Sequence, residues 1–359
     1  MRSRTVARWA ARSVASAGPT GVAPVLQVHP TKRCNLTCAH CYSSSGPRAR
    51  ERLALDTLSA CLADAVALGY RQLAVSGGEP LLYPQLAELL AAARALGMLT
   101  SVTTNGTLAT AARWAPLAPL IDVAAISIDG RPDEHDAIRR RTGAFAQTVA
   151  NLPAIRASGV PFGLIFTLTQ HNVDSLAFVV RLAAEHGARS VQVHPLTLHG
   201  RAAEELPDAR PDTIELTAAW LEAERLGREL GVVVHVDAVT AEQLRRYRDA
   251  FVPARPVGAL VAVAPVLVVE ADAGVRPLSH ELDPRLALGS LHEAGLADLA
   301  RAWLAAGQGD ALAEACARTW AELTAAPVPA VYWYDEVAAR SRPASRMIRV
   351  GGVAGVAAG

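Results

Sequence analysis

Short apolar stretches alternate with amphipathic segments through the first two thirds of the chain. A strand that is covered on both faces of a parallel sheet shows as a nearly continuous apolar run of about four to eight residues. Six stretches fit this description: 25–30, 72–76, 100–104, 123–128, 162–167 and 190–194. They predict the strands of one buried sheet.

The segments between these stretches repeat apolar residues at helical spacing. They predict helices over 56–68, 84–96, 145–157, 175–185 and 212–230, followed by a short seventh strand over 232–236. Glycine favours the residue after a helix because it adopts left-handed backbone angles without steric cost. The first four predicted helices end before such a residue, namely Gly69, Gly97, Gly159 and Gly187.

Strands that alternate with helices predict an α/β fold with a parallel sheet. Repeating βα units joined by right-handed crossovers build either a barrel or an open sheet. In both architectures, ligands bind at the C-terminal ends of the strands. We therefore expect the functional residues in the segments that directly follow the predicted strands.

The composition fits a large globular domain and excludes several kinds of partner. Of 359 residues, 51% are hydrophobic, which is enough for a sizeable core. The net charge of +1 gives no basis for nucleic-acid binding. The longest uncharged apolar run lies between Arg255 and Glu270, contains two prolines and is shorter than the roughly 20 residues of a membrane span. We expect neither a nucleic-acid nor a membrane partner.

The five cysteines do not suggest a disulfide framework, because three of them lie in one loop. This usage is typical of a reducing compartment and predicts a cytoplasmic location. Residues 1–24 are basic and rich in alanine and serine, and we expect a poorly ordered extension there. A faint similarity to organellar transit peptides is the alternative.

The loop after the first predicted strand carries Cys34, Cys38 and Cys41, followed directly by Tyr42. Thiolates at such close spacing are typical of a site for zinc or an iron–sulfur cluster. With zinc, a histidine such as His40 would complete a closed tetrahedral site. With a 4Fe–4S cluster, three thiolates leave one iron open to an outside ligand. The spacing alone leaves both metals open.

The second predicted strand runs into Gly77-Gly78-Glu79-Pro80. The cysteine spacing with its trailing aromatic, combined with this GGEP segment one βα unit later, resembles the radical S-adenosylmethionine (SAM) superfamily. The resemblance implies a partial (β/α)6 barrel, one 4Fe–4S cluster held by Cys34, Cys38 and Cys41, and SAM bound to the open iron. It further implies reductive cleavage of SAM to a 5'-deoxyadenosyl radical that abstracts a hydrogen atom, with flavodoxin or ferredoxin as one-electron donor.

The resemblance also implies roles for residues at the strand ends. The GGEP segment would hold the SAM amino group, and the TNG turn after strand three would lie along the ribose and methionine. Two residues that share a face after strand four would lie near SAM, and an arginine beyond them would pair with its carboxylate. The alternative to these binding roles is that the segments are ordinary βα turns and that the arginine belongs to a solvated run of charges. The candidate SAM residues are Gly77, Gly78, Glu79, Thr104, Asn105, Ser127, Asp129 and Arg139.

Two histidines follow strand six. His194 ends the strand, and His199 precedes Gly200-Arg201-Ala202, which resembles a GRA segment of several family members. Both are candidates for contacts with substrate or adenosine, although isolated histidines are more often structural.

The C-terminal third resembles the SPASM or twitch extension of many family members, in which cysteines hold auxiliary clusters. Residues 267–278 resemble its hairpin, and 288–291 with the helix that follows resemble its next segment. Leu278 stands where a cysteine is expected, and Cys316 is the only thiol of the region. A single thiol cannot hold a cluster, so we predict no auxiliary cluster and a helix-core role for Cys316 and also for Cys61. The predicted units are an N-terminal extension (1–24), a radical SAM core (25–236), a SPASM/twitch-like α+β extension (237–345) and a flexible tail (346–359).

The sequence thus predicts a radical SAM enzyme. The resemblance is strongest to peptide-modifying members, which suggests a ribosomal precursor peptide or another natural product as substrate. The alternatives are a radical SAM enzyme acting on a sugar or nucleoside, and a non-catalytic zinc-binding interaction protein. No residue stands out as general acid or base.

Overall fold

The computed structural model describes residues 23–325 and 330–342. Nearly all of the predicted N-terminal extension and the whole of the predicted tail therefore lie outside the described residues. In the part of the chain that is described, no helix combines the length and apolar character needed to cross a membrane.

One ten-stranded sheet organises the described residues, in the order β10-β9-β8-β1-β2-β3-β4-β5-β6-β7. Neighbours from β8 through β1 to β7 are parallel, whereas β8, β9 and β10 are antiparallel. The α/β fold predicted from the alternation and the partial barrel implied by the resemblance are confirmed. The strands are β1 Val25–Val28, β2 Gln72–Val75, β3 Leu99–Thr104, β4 Val123–Ser127, β5 Phe162–Leu168, β6 Ser190–Pro195, β7 Val233–Val236, β8 Val266–Val269, β9 Gly274–Pro277 and β10 Gly289–Ser290.

Helices connect the strands, and every helix predicted between the first seven strands is present. Predicted and observed ends differ by no more than two residues at each predicted strand and helix, because caps and turns define the observed ends. The helices are α1 Leu55–Ala67, α2 Leu86–Ala95, α3 Ala111–Trp114, α4 Pro132–Arg139, α5 Ala144–Ala157, α6 Leu176–His186, α7 Arg201–Glu205, α8 Thr213–Leu230, α9 Ala241–Arg246, α10 Arg248–Phe251, α11 Leu260–Val263, α12 Leu296–Ala305, α13 Gln308–Ala325 and α14 Trp333–Ser341.

The two faces of the sheet differ in polarity. Alternate strand residues such as Leu26, Val102 and Phe166 are fully buried in the main core beneath the helices. Residues of the opposite parity form the inner face, which is only partly covered and mostly neutral and polar. Inner-face residues include Gln27, Ser101, Thr103, Ser127, Thr167, Gln192 and His194.

The C-terminal segment extends the same sheet. Strand β8 pairs with β1 in parallel, with Val28 opposite Val269. The predicted hairpin over 267–278 is present as β8 and β9, and β10 follows as their antiparallel neighbour. The unit boundary at 236/237 stays a prediction, since the strands on both sides of it belong to one sheet.

Candidate active site

The three cysteines lie together in the loop after β1. Cys34 and Cys38 are buried and Cys41 is half-buried, and they pack with Leu36 in a small cluster separate from the main core. The other two thiols of the described chain, on α1 and α13, pack in the main core as predicted. The cysteine loop is therefore a distinct thiol site at the C-terminal end of the sheet.

Burial makes this loop a poor place for a thiolate without a counter-ion. The Cys34 Sγ accepts the Leu36 backbone N–H at 3.5 Å, and the Asn105 Nδ2 lies 3.9 Å away. Burial, reinforced by the nearby Glu79 carboxylate, raises the pKa of Cys34 to about 12. A bound cation relieves this cost, because metal ligation stabilises the deprotonated thiol.

The loop does not assemble a compact zinc tetrahedron with His40. Sulfur ligands at about 2.3 Å from zinc would stand about 3.8 Å apart. Among the described residues, the one set of three histidine, cysteine or carboxylate ligand atoms within 4.8 Å of one another lies elsewhere. His40 instead lies 3.7 Å from Asp129, and burial, partly offset by Asp129, lowers the pKa of His40 to about 4. The wider thiol arrangement favours a larger metal group.

The glycines of GGEP let β2 approach the loop after β1. Gly77 has φ +97°, and a Cβ there would lie 2.7 Å from the His29 Cβ. A Cβ on Gly78 would lie 2.8 Å from the Arg33 carbonyl carbon, and the Gly78 N–H donates to the Thr31 carbonyl at 2.9 Å. The two glycines therefore allow the end of β2 to pack closely against the residues that follow β1.

We predict that Gly78→Ala destabilises the protein by about 1–3 kcal/mol, because the added methyl overlaps a backbone group that cannot rotate away. Urea unfolding of the apo chain measures this cost. Gly258→Ala is the matched control, since a Cβ at Gly258 meets nothing within 4 Å. Equal stability of the two variants would contradict the packing role.

The Glu79 carboxylate joins the GGEP segment to the end of β3. It is fully buried and accepts bonds from the Thr104 hydroxyl at 2.7 Å, the Asn105 N–H at 2.9 Å and the Leu81 N–H at 3.1 Å. Burial raises the pKa of Glu79, and these donors oppose the rise. A carboxylate offers about four lone-pair sites, so at most one remains for a ligand.

Asp129 and Arg139 form a buried ion pair beside the cysteine loop. The Arg139 Nε donates to Asp129 Oδ2 at 2.7 Å, and the Thr167 N–H donates to Asp129 Oδ1 at 3.2 Å. Burial alone would raise the pKa of Asp129, but the charges of Arg139 and His40 outweigh it and lower that pKa. The Nε–H of Arg139 is thus committed to Asp129, and a bound carboxylate would have to use the Nη protons. Ser127 lies half-buried at the end of β4.

Arg201 braces the cysteine loop, a role that the motif alone did not reveal. Its two guanidinium ends donate to the carbonyls of Cys38 and Ser45, each at 2.7 Å, and its N–H donates to the Cys41 carbonyl at 3.0 Å. A Cβ on Gly200, which has φ +57°, would lie 2.6 Å from the Tyr42 carbonyl carbon. The GRA segment therefore fixes the cysteine loop through hydrogen bonds to the backbone carbonyls of that loop.

His194 is half of a histidine–aspartate pair on the inner face. Its Nδ1 lies 2.8 Å from Asp237 Oδ2, which also accepts the Gln192 amide at 2.8 Å, and Tyr332 packs edge-on against the imidazole. Burial alone would lower the pKa of His194, but the hydrogen bond and charge of Asp237 raise it. Sequence reasoning missed Asp237, although it directly follows β7 and therefore obeys the strand-end rule.

We predict that Asp237→Asn lowers the pKa of His194, because burial then acts without the opposing carboxylate. In the wild type the imidazolium should persist above the ordinary histidine pKa of about 6.5. In the variant it should lose its proton at lower pH. NMR titration of the imidazole, assigned with His194→Gln, measures both values, and an unchanged pKa would contradict the pairing.

Comparisons with known proteins find relatives of this chain. Residues 28–183 match the Radical SAM superfamily profile. PqqA peptide cyclase of Ruegeria pomeroyi is 35% identical over 192 residues, which are 53% of this chain and 51% of that protein. Pre-heme d1 synthase of Dinoroseobacter shibae is 30% identical over 253 residues, 66% of this chain and 61% of that protein.

A solved structure shares the fold. Streptococcus suis SuiB bound to S-adenosylmethionine superposes with a TM-score of 0.60 at 16% identity, over 77% of this chain and 65% of SuiB. The chain thus spans between half and two thirds of the length of these relatives.

Proposed function

Since residues 28–183 form a radical SAM domain, we propose that this chain is an enzyme that binds one 4Fe–4S cluster and SAM to start radical chemistry on a peptide. When bound, the cluster supplies the electron that cleaves SAM into methionine and a 5'-deoxyadenosyl radical. Cys34, Cys38 and Cys41 would hold it. The observation that carries the proposal is the buried, braced thiol loop at the C-terminal end of the sheet.

The residues proposed to contact SAM lie at the same rim, the C-terminal end of the parallel strands. Glu79, Thr104 and Asn105 form one hydrogen-bonded unit, and the Asn105 amide lies beside Cys34. These three residues would therefore hold SAM beside the thiol loop. Arg139, with Asp129 fixing its Nε, would present its Nη groups to the SAM carboxylate. Gly77 and Gly78 shape the turn that places Glu79, and Ser127 faces the inner side.

A peptide is the substrate that the inner face favours. Its polar residues include serine, threonine and glutamine, whose side chains donate to and accept from amide groups, and they alternate with apolar ones such as Ala74, Ala125 and Ile165. The relative named PqqA peptide cyclase supports the same class. A precursor peptide would then be the partner, and flavodoxin or ferredoxin the electron donor.

A small molecule is the second candidate, because another relative is named Pre-heme d1 synthase. The sugar or nucleoside expected from sequence belongs to the same class. Arg276 of β9 shares the face of Gln27, because both lie opposite Val268, and would pair with a carboxylate of a polycarboxylate substrate.

Anaerobic reconstitution with iron and sulfide, followed by dithionite and SAM, tests the proposal. We expect about four irons per chain, as one 4Fe–4S cluster requires, and release of 5'-deoxyadenosine. Short peptides encoded beside the gene are then assayed for a mass change, with small-molecule candidates as the parallel arm. Stoichiometric zinc without SAM cleavage would overturn the proposal.

A further inference from the structure

A second cluster of metal-ligating side chains lies on the same rim, outside the residues so far discussed as ligands. His29, Glu270 and His280 bring their ligand atoms within 4.8 Å of one another. The His29 Nδ1 lies 2.9 Å from Glu270 Oε2, and the His280 Nδ1 contacts Glu270 Oε1. His29 is buried, whereas Glu270 and His280 retain 15% and 17% of their side-chain exposure. The cluster is thus fixed on one side and open on the other.

The sheet itself places these three residues together. Strands β1 and β8 are parallel neighbours with Val28 opposite Val269, so His29 and Glu270 leave the sheet side by side. The His29 N–H donates to the Val269 carbonyl at 2.8 Å. His280 returns to the same point after β9, the antiparallel partner of β8. Ligands held by paired strands keep their spacing without a bound ion.

Neighbouring side chains orient both imidazoles. The His29 Nε2 lies 3.2 Å from the Tyr42 hydroxyl, which can accept its proton when Nδ1 binds a metal. The Gln27 side-chain nitrogen, 2.8 Å from the same Nε2, is a donor, so metal binding requires this amide to turn and present its oxygen. The Tyr42 ring stacks on His280 with centroids 4.7 Å apart. Metal-bound histidines characteristically use the second ring nitrogen in such a hydrogen bond, which fixes the tautomer and the ring plane.

We propose that His29, Glu270 and His280 form a mononuclear site for a divalent transition metal, zinc or ferrous iron. Two imidazoles and one carboxylate are a ligand set used by both ions, and three protein ligands leave coordination positions free. The open side of the cluster can therefore take water or a carbonyl or carboxylate oxygen of a bound molecule. None of the three ligands is a loop thiol, although Tyr42, which directly follows Cys41, contacts both imidazoles.

The test uses the full chain with Cys34, Cys38 and Cys41 all replaced by serine, so that no loop thiol binds metal. Titration with Zn²⁺ by calorimetry and with Co²⁺ by visible absorption should each give one equivalent. Metal analysis of this protein as isolated from cells distinguishes zinc from iron. Reconstituted wild type is the second background, in which zinc is counted separately from cluster iron.

Glu270→Gln and His280→Ala should each weaken Zn²⁺ binding by more than about 100-fold, since loss of an outer partner alone costs about 10- to 100-fold. Tyr42→Phe should weaken it by about 10-fold. His292→Ala, at an exposed histidine, should leave it unchanged. Circular dichroism confirms that each variant is folded.

The alternative is a hydrogen-bonded His–Glu–His group that binds no metal. Absence of a Zn²⁺ or Co²⁺ equivalent in the folded triple-serine chain and in reconstituted wild type would overturn the proposal. Binding that survives Glu270→Gln and His280→Ala would overturn it too. Neither outcome depends on SAM cleavage, so failure of this site and failure of the proposed enzyme are distinguishable.

Discussion

Replacing Cys34, Cys38 or Cys41 by alanine should abolish both iron binding and SAM cleavage. Each thiolate supplies one of only three protein ligands to the proposed cluster, and a two-thiolate cubane would be unstable. Iron content after anaerobic reconstitution and 5'-deoxyadenosine release under dithionite measure the two effects. We expect each variant to lose the four irons of the cluster, leaving at most the one equivalent of the proposed His29–Glu270–His280 site.

Cys61→Ala and Cys316→Ala are the matched controls, because both thiols pack in the main core away from the loop. These variants should keep the cluster and its chemistry. Retention of full iron in all three loop variants would contradict the assignment of the ligands. Iron near eight per chain in the wild type would contradict the single-cluster prediction for the C-terminal segment.

Arg139→Gln should destabilise the apo protein by about 3–5 kcal/mol, because it leaves the buried Asp129 carboxylate without its cation. Urea unfolding at neutral pH measures the loss. The pKa of Asp129 is lowered in the fold, so the ion pair stabilises above the unfolded pKa of about 3.9 and that contribution is lost as pH falls. The difference between variant and wild type should therefore shrink as pH falls, once the unpaired Asp129 of the variant takes up a proton.

The double variant Asp129→Asn/Arg139→Gln controls for simple loss of packing. Removing both charges removes the uncompensated carboxylate, so the double variant should be more stable than Arg139→Gln alone. Asp298→Ala, which breaks an exposed pair with Arg301, should have little effect. A double variant less stable than the single one would show that the charges are not coupled.

The fold was predictable because each strand and helix carries its own pattern. The buried strands around Leu73 and Ile126 are mostly apolar, and glycines such as Gly69 mark the helix ends. These signals are local. The order of the strands in the sheet could not be predicted in the same way. No residue near Val25 indicates that β8, which comes much later in the chain, pairs with the second edge of β1.

The sequence predicted which residues belong to the site better than it predicted their contacts. The strand-end rule and the motifs found Glu79, Asn105 and Asp129, which the structure places at one rim. They did not show that Glu79 is already hydrogen-bonded within the protein. Such facts depend on distances between segments that no spacing along the chain encodes.

The missed residues have the same explanation. His29 and Glu270 both follow strands, but they are 241 residues apart and neither belongs to a recognisable motif. Applying the strand-end rule to every polar residue would have found each of them singly. Their pairing depends on the parallel register of β1 and β8.

The Arg201 brace has a consequence for the order of biosynthesis. Arg201 and the Cys38 carbonyl that it holds are 163 residues apart in the chain. A ribosome makes the N-terminal thiols long before it makes the arginine, so the nascent loop must wait without its support. The mature conformation of the loop therefore becomes available only after the sixth strand has emerged and docked. The proposed cluster would accordingly be loaded only after most of the barrel has been translated.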